Sequence, residues 1–323
     1  MANLIDDTIA DLLEGSVKFK REKGTGSLRN RISRVAHQAP EVLIKISGNS
    51  TGTGHTLAHL EYISRHGKVE LETEQGEILK GKETVRQLHK DWTQDSGKRK
   101  KNTRETTNIV LSMPAGTDAP SVKNAARDFA RIQFGANYQY VLAQHTDAQH
   151  PHVHLTVKNL GFNGRRLHVR KGDPQKWREL FAEQLQRRGV EAEATPRAVR
   201  GVIRKSVKQV IRHIRDKGEI PAVEKSKVKQ ILEEARSENQ DGPSIARPWE
   251  DKIKLRQTQV RKGWLSVAKV LHHSPDTQDK DLSKNIIAFV NKMPPMKTER
   301  HEIKERLAGQ IQARQTENVQ EER

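Results

Sequence analysis

The sequence of 323 residues contains no cysteine. Disulfides are therefore excluded, and so is any zinc site with thiolate ligands, which leaves histidine and carboxylate side chains to hold a metal. The absence of cysteine also fits a reducing compartment, and we expect a cytoplasmic protein.

Long hydrophobic runs are also missing. No apolar segment approaches about 18 residues, and the chain begins MANLIDD, with acidic residues where a secretory signal has basic ones. We therefore expect a soluble, unprocessed chain with no membrane insertion.

Acidic residues are outnumbered in this sequence. The 59 Lys and Arg residues exceed the 41 Asp and Glu residues, which gives a formal net charge of +18. Basic side chains bind phosphates and release condensed counterions, so this excess favours a polyanionic partner, nucleic acid first. A strongly solvated surface explains the same charge, and composition alone leaves both interpretations open.

The order of predicted elements favours an α+β fold over a doubly wound sheet. Helical patterns alternate with short stretches that are β-branched or alternate in polarity, namely VLIKI, KVELE, TTNIVLSMPAG, and residues 138–144 and 152–157. The last two stretches are separated only by a turn, which predicts an antiparallel hairpin.

Three parts are predicted along the chain. Residues 1–40 form an N-terminal extension, with a peripheral helix, a basic arm (GSLRNRISR) and little core. Residues 41–201 form the catalytic domain. Strand signals vanish near residue 200, so residues 202–323 are predicted to be a basic helical region whose tail is a lone helix or disordered.

Histidines cluster in the segment QHTDAQHPHVHLTVKN, although the chain has only 14. Side chains alternate faces along a strand, so His152 and His154 share a face, and His145 ends the neighbouring strand of the predicted hairpin. Three imidazoles can thus bind one metal and leave coordination positions open. Asp147 can accept the outer N–H of one ligand. A structural zinc site and unrelated surface histidines are the alternatives.

One tyrosine of three stands in a helical pattern. In HLEYISRHG, His59 and His66 lie three residues before and four after Tyr62, on its own face of the predicted helix, which spans about residues 56–65. A phenol is a weak nucleophile until its proton is removed or its anion is stabilised, which basic neighbours and a metal provide. A packing tyrosine is the alternative.

Four segments together resemble a known family: EYISRHGKVELE, TTNIVLSMPAGTD, HTDAQHPHVHLTV and ATPRAVRG. In order and separation they are similar to the motifs of P-type conjugative and mobilisation relaxases of the HUH-endonuclease class, particularly the T-DNA border-nicking relaxases. The resemblance implies an HUH-endonuclease antiparallel sheet flanked by helices, with the metal on its central strands. It makes residues 41–201 a relaxase domain.

The resemblance also implies roles for single residues. Tyr62 becomes the nucleophile, and the metal ligands become His145, His152 and His154. Asp147 becomes the partner that orients a ligand, or a proton acceptor. Contacts with DNA are expected of four more residues, which are Ser112, His150, Arg65 and Lys158.

The implied activity is nicking of one strand at a plasmid transfer origin by tyrosine transesterification, followed by strand piloting and religation. The expected cofactor is a divalent metal, Mg or Mn, because phosphodiester oxygens suit these ions, although imidazole ligands also suit Zn, Ni or Co. The expected partners are single-stranded and duplex DNA, relaxosome accessory proteins and the coupling protein of a type IV secretion system. Transfer into the recipient cell with the DNA belongs to the same expectation.

Two other functions compete with this one. A rolling-circle replication initiator or transposase of the HUH class would use the same chemistry at a replication origin or element end. A non-enzymatic DNA-binding protein would use the histidines for a structural metal. The basic helices after residue 200 bind flanking duplex, contact relaxosome proteins, carry a transport signal, or are only a solvated face.

Overall fold

A computed structural model describes residues 28–94, 102–203, 207–238 and 247–321. The chain divides into two compact units between Thr195 and Pro196. We call the described residues up to Thr195 the sheet unit and those from Pro196 onward the helical unit.

The sheet unit is built on six strands, namely β1 (Leu43–Thr51), β2 (Leu71–Thr73), β3 (Ile78–Leu79), β4 (Arg104–Ser112), β5 (Tyr140–His145) and β6 (His152–Lys158). Their order across the sheet is β1-β4-β6-β5-β2-β3. Every neighbouring pair is antiparallel. The β5–β6 hairpin therefore lies at the centre of the sheet, and the predicted α+β fold with an antiparallel sheet and flanking helices is confirmed.

The helices of the sheet unit are α1 (Leu28–Ala36), α2 (Thr53–Ile63), α3 (Lys82–Gln94), α4 (Ala119–Phe134) and α5 (Asp173–Gln186). Asp118 caps α4, because its carboxylate accepts the backbone N–H of Ser121 at 2.8 Å. Pro120 and Pro174 stand in the first turns of α4 and α5, where no N–H partner is needed.

One face of the sheet is apolar. Val153, Leu155 and Val157 alternate along β6 and are fully buried in the largest core cluster. On α4, the ring of Phe129 packs edge-to-face against Phe181 of α5, with centroids 6.3 Å apart. Burial of each such side chain contributes about 1.5–3 kcal/mol, so this face stabilises the unit substantially.

The other face carries the intervening residues of β6 and is partly covered by α2 and α3. A smaller core joins these helices to Val141 and Ala143 of β5, and its helical members include Leu60, Ile63 and Trp92. This core holds α2 against the sheet beside the histidines of β6.

Helix α1 differs from the predicted basic arm. Ile32 and Val35 are fully buried, and Arg31 and Arg34 pair with the carboxylate of Glu193 at 3.2 and 3.1 Å. The expectation that little core lies before residue 40 is wrong for this helix. Its signal was present in the spacing of Leu28, Ile32 and Val35, which is helical.

The described part of the helical unit contains helices and no strand. These are a 3-10 turn (Arg197–Arg200), α6 (Gln209–Asp216), α7 (Ala222–Glu238), α8 (Pro248–His272), α9 (Thr277–Lys292) and α10 (Glu299–Glu321). Trp264 is fully buried, packs 5.1 Å from Phe289 and donates its indole N–H to the carbonyl of Val199 at 2.8 Å. Among the described residues, no helix is long and apolar enough to span a membrane.

A candidate metal site beneath an exposed tyrosine

The β5–β6 hairpin brings three histidines together. His145 lies directly opposite His152 in the strand pairing, and His154 lies two residues further along β6. Their ring centroids are 4.4–5.3 Å apart. One ring nitrogen from each residue lies within 4.8 Å of the others, so the three can hold a metal ion. The convergence predicted from strand alternation is present.

Backbone carbonyls fix two of these rings. The Nε2–H of His145 donates to the carbonyl oxygen of Ile63 at 2.7 Å, and the Nδ1–H of His152 donates to that of His150 at 3.0 Å. Because a carbonyl only accepts, these nitrogens carry the protons. His145 Nδ1 and His152 Nε2 therefore keep their lone pairs, as a metal ligand must, and in this structure the Arg65 guanidinium lies 3.4 Å from His145 Nδ1.

Burial keeps two of the three histidines neutral. Burial, together with the smaller effect of the neighbouring histidines, lowers the pKa of His154 to about 3. Burial also lowers the pKa of His145. Neutral imidazoles keep their lone pairs near pH 7, so His145 and His154 can bind a divalent metal without first losing protons.

Tyr62 stands over this cluster at the end of α2. Its ring centroid is 5.8 Å from that of His154 and 6.4 Å from that of His145. The side chain is 52% exposed, unlike Tyr140, which is buried in the apolar core. A packing role therefore does not explain Tyr62, whose ring borders the histidines and solvent.

The helix that carries Tyr62 is shifted from its predicted position. It ends at Ile63, and Arg65 and His66 then have φ angles of 49° and 57°, in the left-handed region. His66 therefore leaves the helical face on which the sequence placed it. His59 keeps its place, with Nε2 joined to Thr156 Oγ1 by a 3.0 Å hydrogen bond, and burial lowers its pKa to about 4.

Arg65 lies close to both Tyr62 and His145. Its guanidinium carbon lies 5.5 Å from the centroid of the Tyr62 ring, and one of its nitrogens lies 3.4 Å from His145 Nδ1. The same nitrogen forms a close ion pair with Asp147. The sequence predicted that Asp147 would accept the outer N–H of a ligand histidine, but these N–H groups of His145 and His152 donate to backbone carbonyls, and Asp147 contacts Arg65 instead.

The other three residues predicted to contact DNA, His150, Ser112 and Lys158, differ in their exposure to solvent. His150 is exposed at the β5–β6 turn. The Ser112 hydroxyl is buried and donates to the carbonyl of Pro151 at 3.1 Å, so it fixes the start of β6. Lys158 is only 7% exposed and donates to Gln139 Oε1 at 3.0 Å. An ammonium so placed is a poor DNA contact, and the structure does not support that prediction.

Comparison with known proteins gives the class. Residues 62–190 match the family model described as “Relaxase: MobA/VirD2-like, nuclease domain”. This stretch of the chain is therefore similar to a relaxase nuclease domain of this kind, and the resemblance seen in its motifs is confirmed. The matched stretch begins at Tyr62 and includes all three histidines of the cluster.

The individual relatives that match this chain include T-DNA border endonucleases. The T-DNA border endonuclease VirD2 of Rhizobium radiobacter is 31% identical over 188 residues, which is 52% of this chain and 44% of that protein. The VirD2 proteins of Rhizobium rhizogenes and of Agrobacterium fabrum strain C58 are each 29% identical over 188 residues, again 52% of this chain, and 43% and 42% of theirs. The chain thus spans less than half the length of the curated relatives it matches.

A solved structure described as “Molecular Basis of Vancomycin Resistance Transfer in Staphylococcus aureus” also matches. It is 17% identical, with a TM-score of 0.33, and the match covers 49% of this chain and 99% of that one.

Proposed function

We propose that this protein is a relaxase that nicks one DNA strand at a plasmid transfer origin and remains covalently attached to it. The observation that carries the proposal is the exposed Tyr62 ring, 5.8 Å from a member of a three-histidine cluster suited to a metal. An exposed nucleophile beside a cluster that can hold a cation fits phosphoryl transfer.

In this reaction the Tyr62 hydroxyl oxygen bonds to phosphorus, and the bond from phosphorus to the 3′ oxygen breaks. The phenol loses its proton, the leaving oxygen gains one as a 3′ hydroxyl, and the 5′ end stays on the protein as a phosphotyrosyl ester. The ester keeps the energy needed for religation. His145, His152 and His154 would hold a divalent metal, Mg or Mn, which when bound would stabilise negative charge on the scissile phosphate.

Arg65 and Asp147 would prepare the same phosphate site. The guanidinium lies between the tyrosine ring and the histidines, where it can donate to a phosphate oxygen. Asp147 holds it there, so we assign Asp147 as a positioning residue that acts through Arg65. His150, exposed at the neighbouring turn, is a further candidate for phosphate contact.

The wider setting is part of the same proposal. We place the relaxase domain at 41–201 and assign residues before it and the helical region at 202–323 to contacts with flanking duplex or with other proteins. Relaxosome proteins and the coupling protein of a type IV secretion system would be the partners. The protein would act in the bacterial cytoplasm and travel with the DNA to the recipient.

A rolling-circle initiator or transposase would share this site and differ in the DNA that it cuts. A structural metal in a non-enzymatic protein is less well supported, because Tyr62 borders the histidines and is half exposed. A site that only stabilised the fold would not need such a neighbour.

The test compares the wild-type protein with Tyr62→Phe on supercoiled DNA that carries the region beside its own gene, with Mn or Mg present. We expect a protein–DNA adduct on a denaturing gel from the wild type and none from the variant. Tyr138→Phe is the matched control, because Tyr138 packs against Phe134 in the apolar core, and it should form the adduct.

An adduct from Tyr62→Phe would overturn the assignment of the nucleophile. If the wild type cut a replication origin but no transfer origin, the initiator would replace the relaxase as the function. If metal removal unfolded the protein and no DNA were cut, the structural site would be the correct interpretation.

A further inference from the structure

A turn that follows β6 exposes an aromatic ring. Phe162 is 64% exposed, whereas every other phenylalanine in the described part of the chain is buried. Neither the nicking chemistry nor the core uses this ring, and a single exposed apolar side chain is not by itself a binding site.

Several hydrogen bonds fix the turn that carries Phe162. The Asn137 side chain donates to Asn163 Oδ1 and accepts the backbone N–H of Asn163, each at 3.1 Å. The N–H of Phe162 donates to the carbonyl of Asn137 at 2.8 Å, and that of Gly161 to the carbonyl of Arg165 at 2.9 Å. The ring is therefore held outward by a stiff backbone, so little conformational freedom is lost when a ligand binds.

Gly161 shows how closely this turn is packed. A Cβ atom added there would lie 2.4 Å from Nδ2 of the Asn137 side chain. The exposed Phe162 thus follows directly after a closely packed position of the turn.

The surroundings of the ring are strongly basic. Residues 158–172 contain five Lys and Arg residues and no acidic one. Arg165 and Arg166 follow directly after the turn and are exposed, with Arg166 within 3.6 Å of Glu105. An apolar ring beside positive charge suits a ligand that carries both aromatic groups and phosphates, so charge complementarity favours nucleic acid over an apolar protein surface.

This turn lies at the opposite end of β6 from the candidate metal site. The strand runs from His152 to Lys158, and at about 3.3 Å per residue this separates its two ends by about 20 Å. The rise along a duplex axis is about 3.4 Å per nucleotide, so a contact there would fall about six nucleotides from the scissile phosphate for duplex-like spacing, and fewer for an extended single strand.

We infer that residues 161–166 form a second DNA contact, in which an unpaired nucleobase stacks on Phe162 and Arg165 binds an adjacent phosphate. The inference rests on the proposed function, because the ligand is the strand to be cut. Bases inside a duplex are already stacked on each other, so the ring selects single-stranded over duplex DNA. Stacking is tolerant of sequence, so this contact would add affinity and leave sequence choice to other residues.

The test measures binding without cleavage. Tyr62→Phe protein, free of metal, is titrated against a fluorescently labelled single-stranded oligonucleotide and its duplex, and the anisotropy gives Kd. Adding Phe162→Ala should weaken single-strand binding about tenfold and leave duplex binding almost unchanged. Phe162→Trp should retain the affinity. Ile132→Ala is the matched control, because Ile132 on α4 is also about half exposed, and it should have no effect.

Unchanged single-strand affinity in Phe162→Ala would overturn the inference, as would an equal loss on duplex or an equal loss in Ile132→Ala. Arg165→Gln tests the phosphate contact and should reduce the slope of log Kd against log salt by about 0.7. An unchanged slope would remove Arg165 from the site. Failure of the inference is separable from failure of the proposed function, which depends on the wild-type adduct.

Discussion

The two faces of strand β6 differ in role, because one is part of the apolar core and the other carries two histidines of the candidate site. Val153, Leu155 and Val157 are fully buried in an apolar core, whereas His152 and His154 face a polar site at the edge of α2. Neighbouring side chains less than about 4 Å apart along the strand therefore serve stability and chemistry separately.

This difference shows how one strand contributes both to the core and to the candidate site. The apolar face fixes the backbone of β6, and the strand geometry then determines where the histidines point. Substitutions on the two faces should consequently have separable effects, on cleavage for the polar face and on unfolding for the apolar one.

The largest effect is expected on the polar face, from His154→Ala. Loss of one of three ligands should abolish Mn binding in calorimetry and reduce the rate of adduct formation at least about 10³-fold, since a bound metal supplies several kcal/mol of charge stabilisation. The unfolding free energy of the metal-free protein should change little.

The matched control for this change is His150→Ala, since His150 is an exposed histidine at the adjacent turn. It should keep metal binding. A His154→Ala protein that formed the adduct at the wild-type rate would show that the cluster has no part in cleavage.

The apolar face should respond in the opposite way. Leu155→Ala removes a fully buried side chain and should lower the free energy of unfolding by about 3 kcal/mol in urea titration. Metal binding by the folded protein should persist. Leu43→Ala, the same change at a half-exposed position of β1, should have a small effect, and an equal loss from both would contradict the assigned core.

Much of this face was predictable from local pattern. Alternation along 152–157 and the nearby stretch at 138–144 predicted the hairpin, which the structure has at β5 and β6. The insertion of β4 between β1 and β6 was not predictable, because hydrophobic periodicity records which face is buried and not which strand is the neighbour.

A charged residue at the margin of the apolar face gives the next prediction. Glu72 of β2 is buried beside Leu142, and its hydrogen bond from Arg127 is the largest cause that holds the pKa of this carboxyl below its usual range. A lowered folded-state pKa stabilises the protein above the unfolded pKa, near 4.3, and this contribution disappears as pH falls below it.

Glu72→Gln should therefore reduce the unfolding free energy by about 2 kcal/mol at pH 7 and by much less at pH 3, which urea titrations at both values would measure. Glu77→Gln serves as the control, since Glu77 is exposed in the turn before β3. If the loss at pH 7 and pH 3 were equal, the ion pair with Arg127 would not be its cause.

The polar face was predicted less completely than the hairpin. The spacing of His145, His152 and His154 was sufficient for the cluster, because strand geometry fixes it. The contact of Asp147 with Arg65 was not visible, since it depends on the end of α2 at Ile63 and on the left-handed φ of Arg65. The helix predicted from the sequence continued to residue 65, so it indicated neither the earlier helix end nor the left-handed backbone at Arg65.

The smallest expected effect comes from breaking the contact between Asp147 and Arg65. It distinguishes, within the polar face, an indirect role of Asp147 from a direct one. If Asp147 acts only by holding Arg65, Asp147→Asn should slow adduct formation about tenfold in the wild type and have no further effect in an Arg65→Ala background. Asp128→Asn is the control, since Asp128 pairs with Arg131 and Arg188 away from the site. If Asp147 acts only through the Arg65 guanidinium, removing Arg65 already removes the effect of Asp147. Additive losses would instead require Asp147 to act directly on a histidine or a proton.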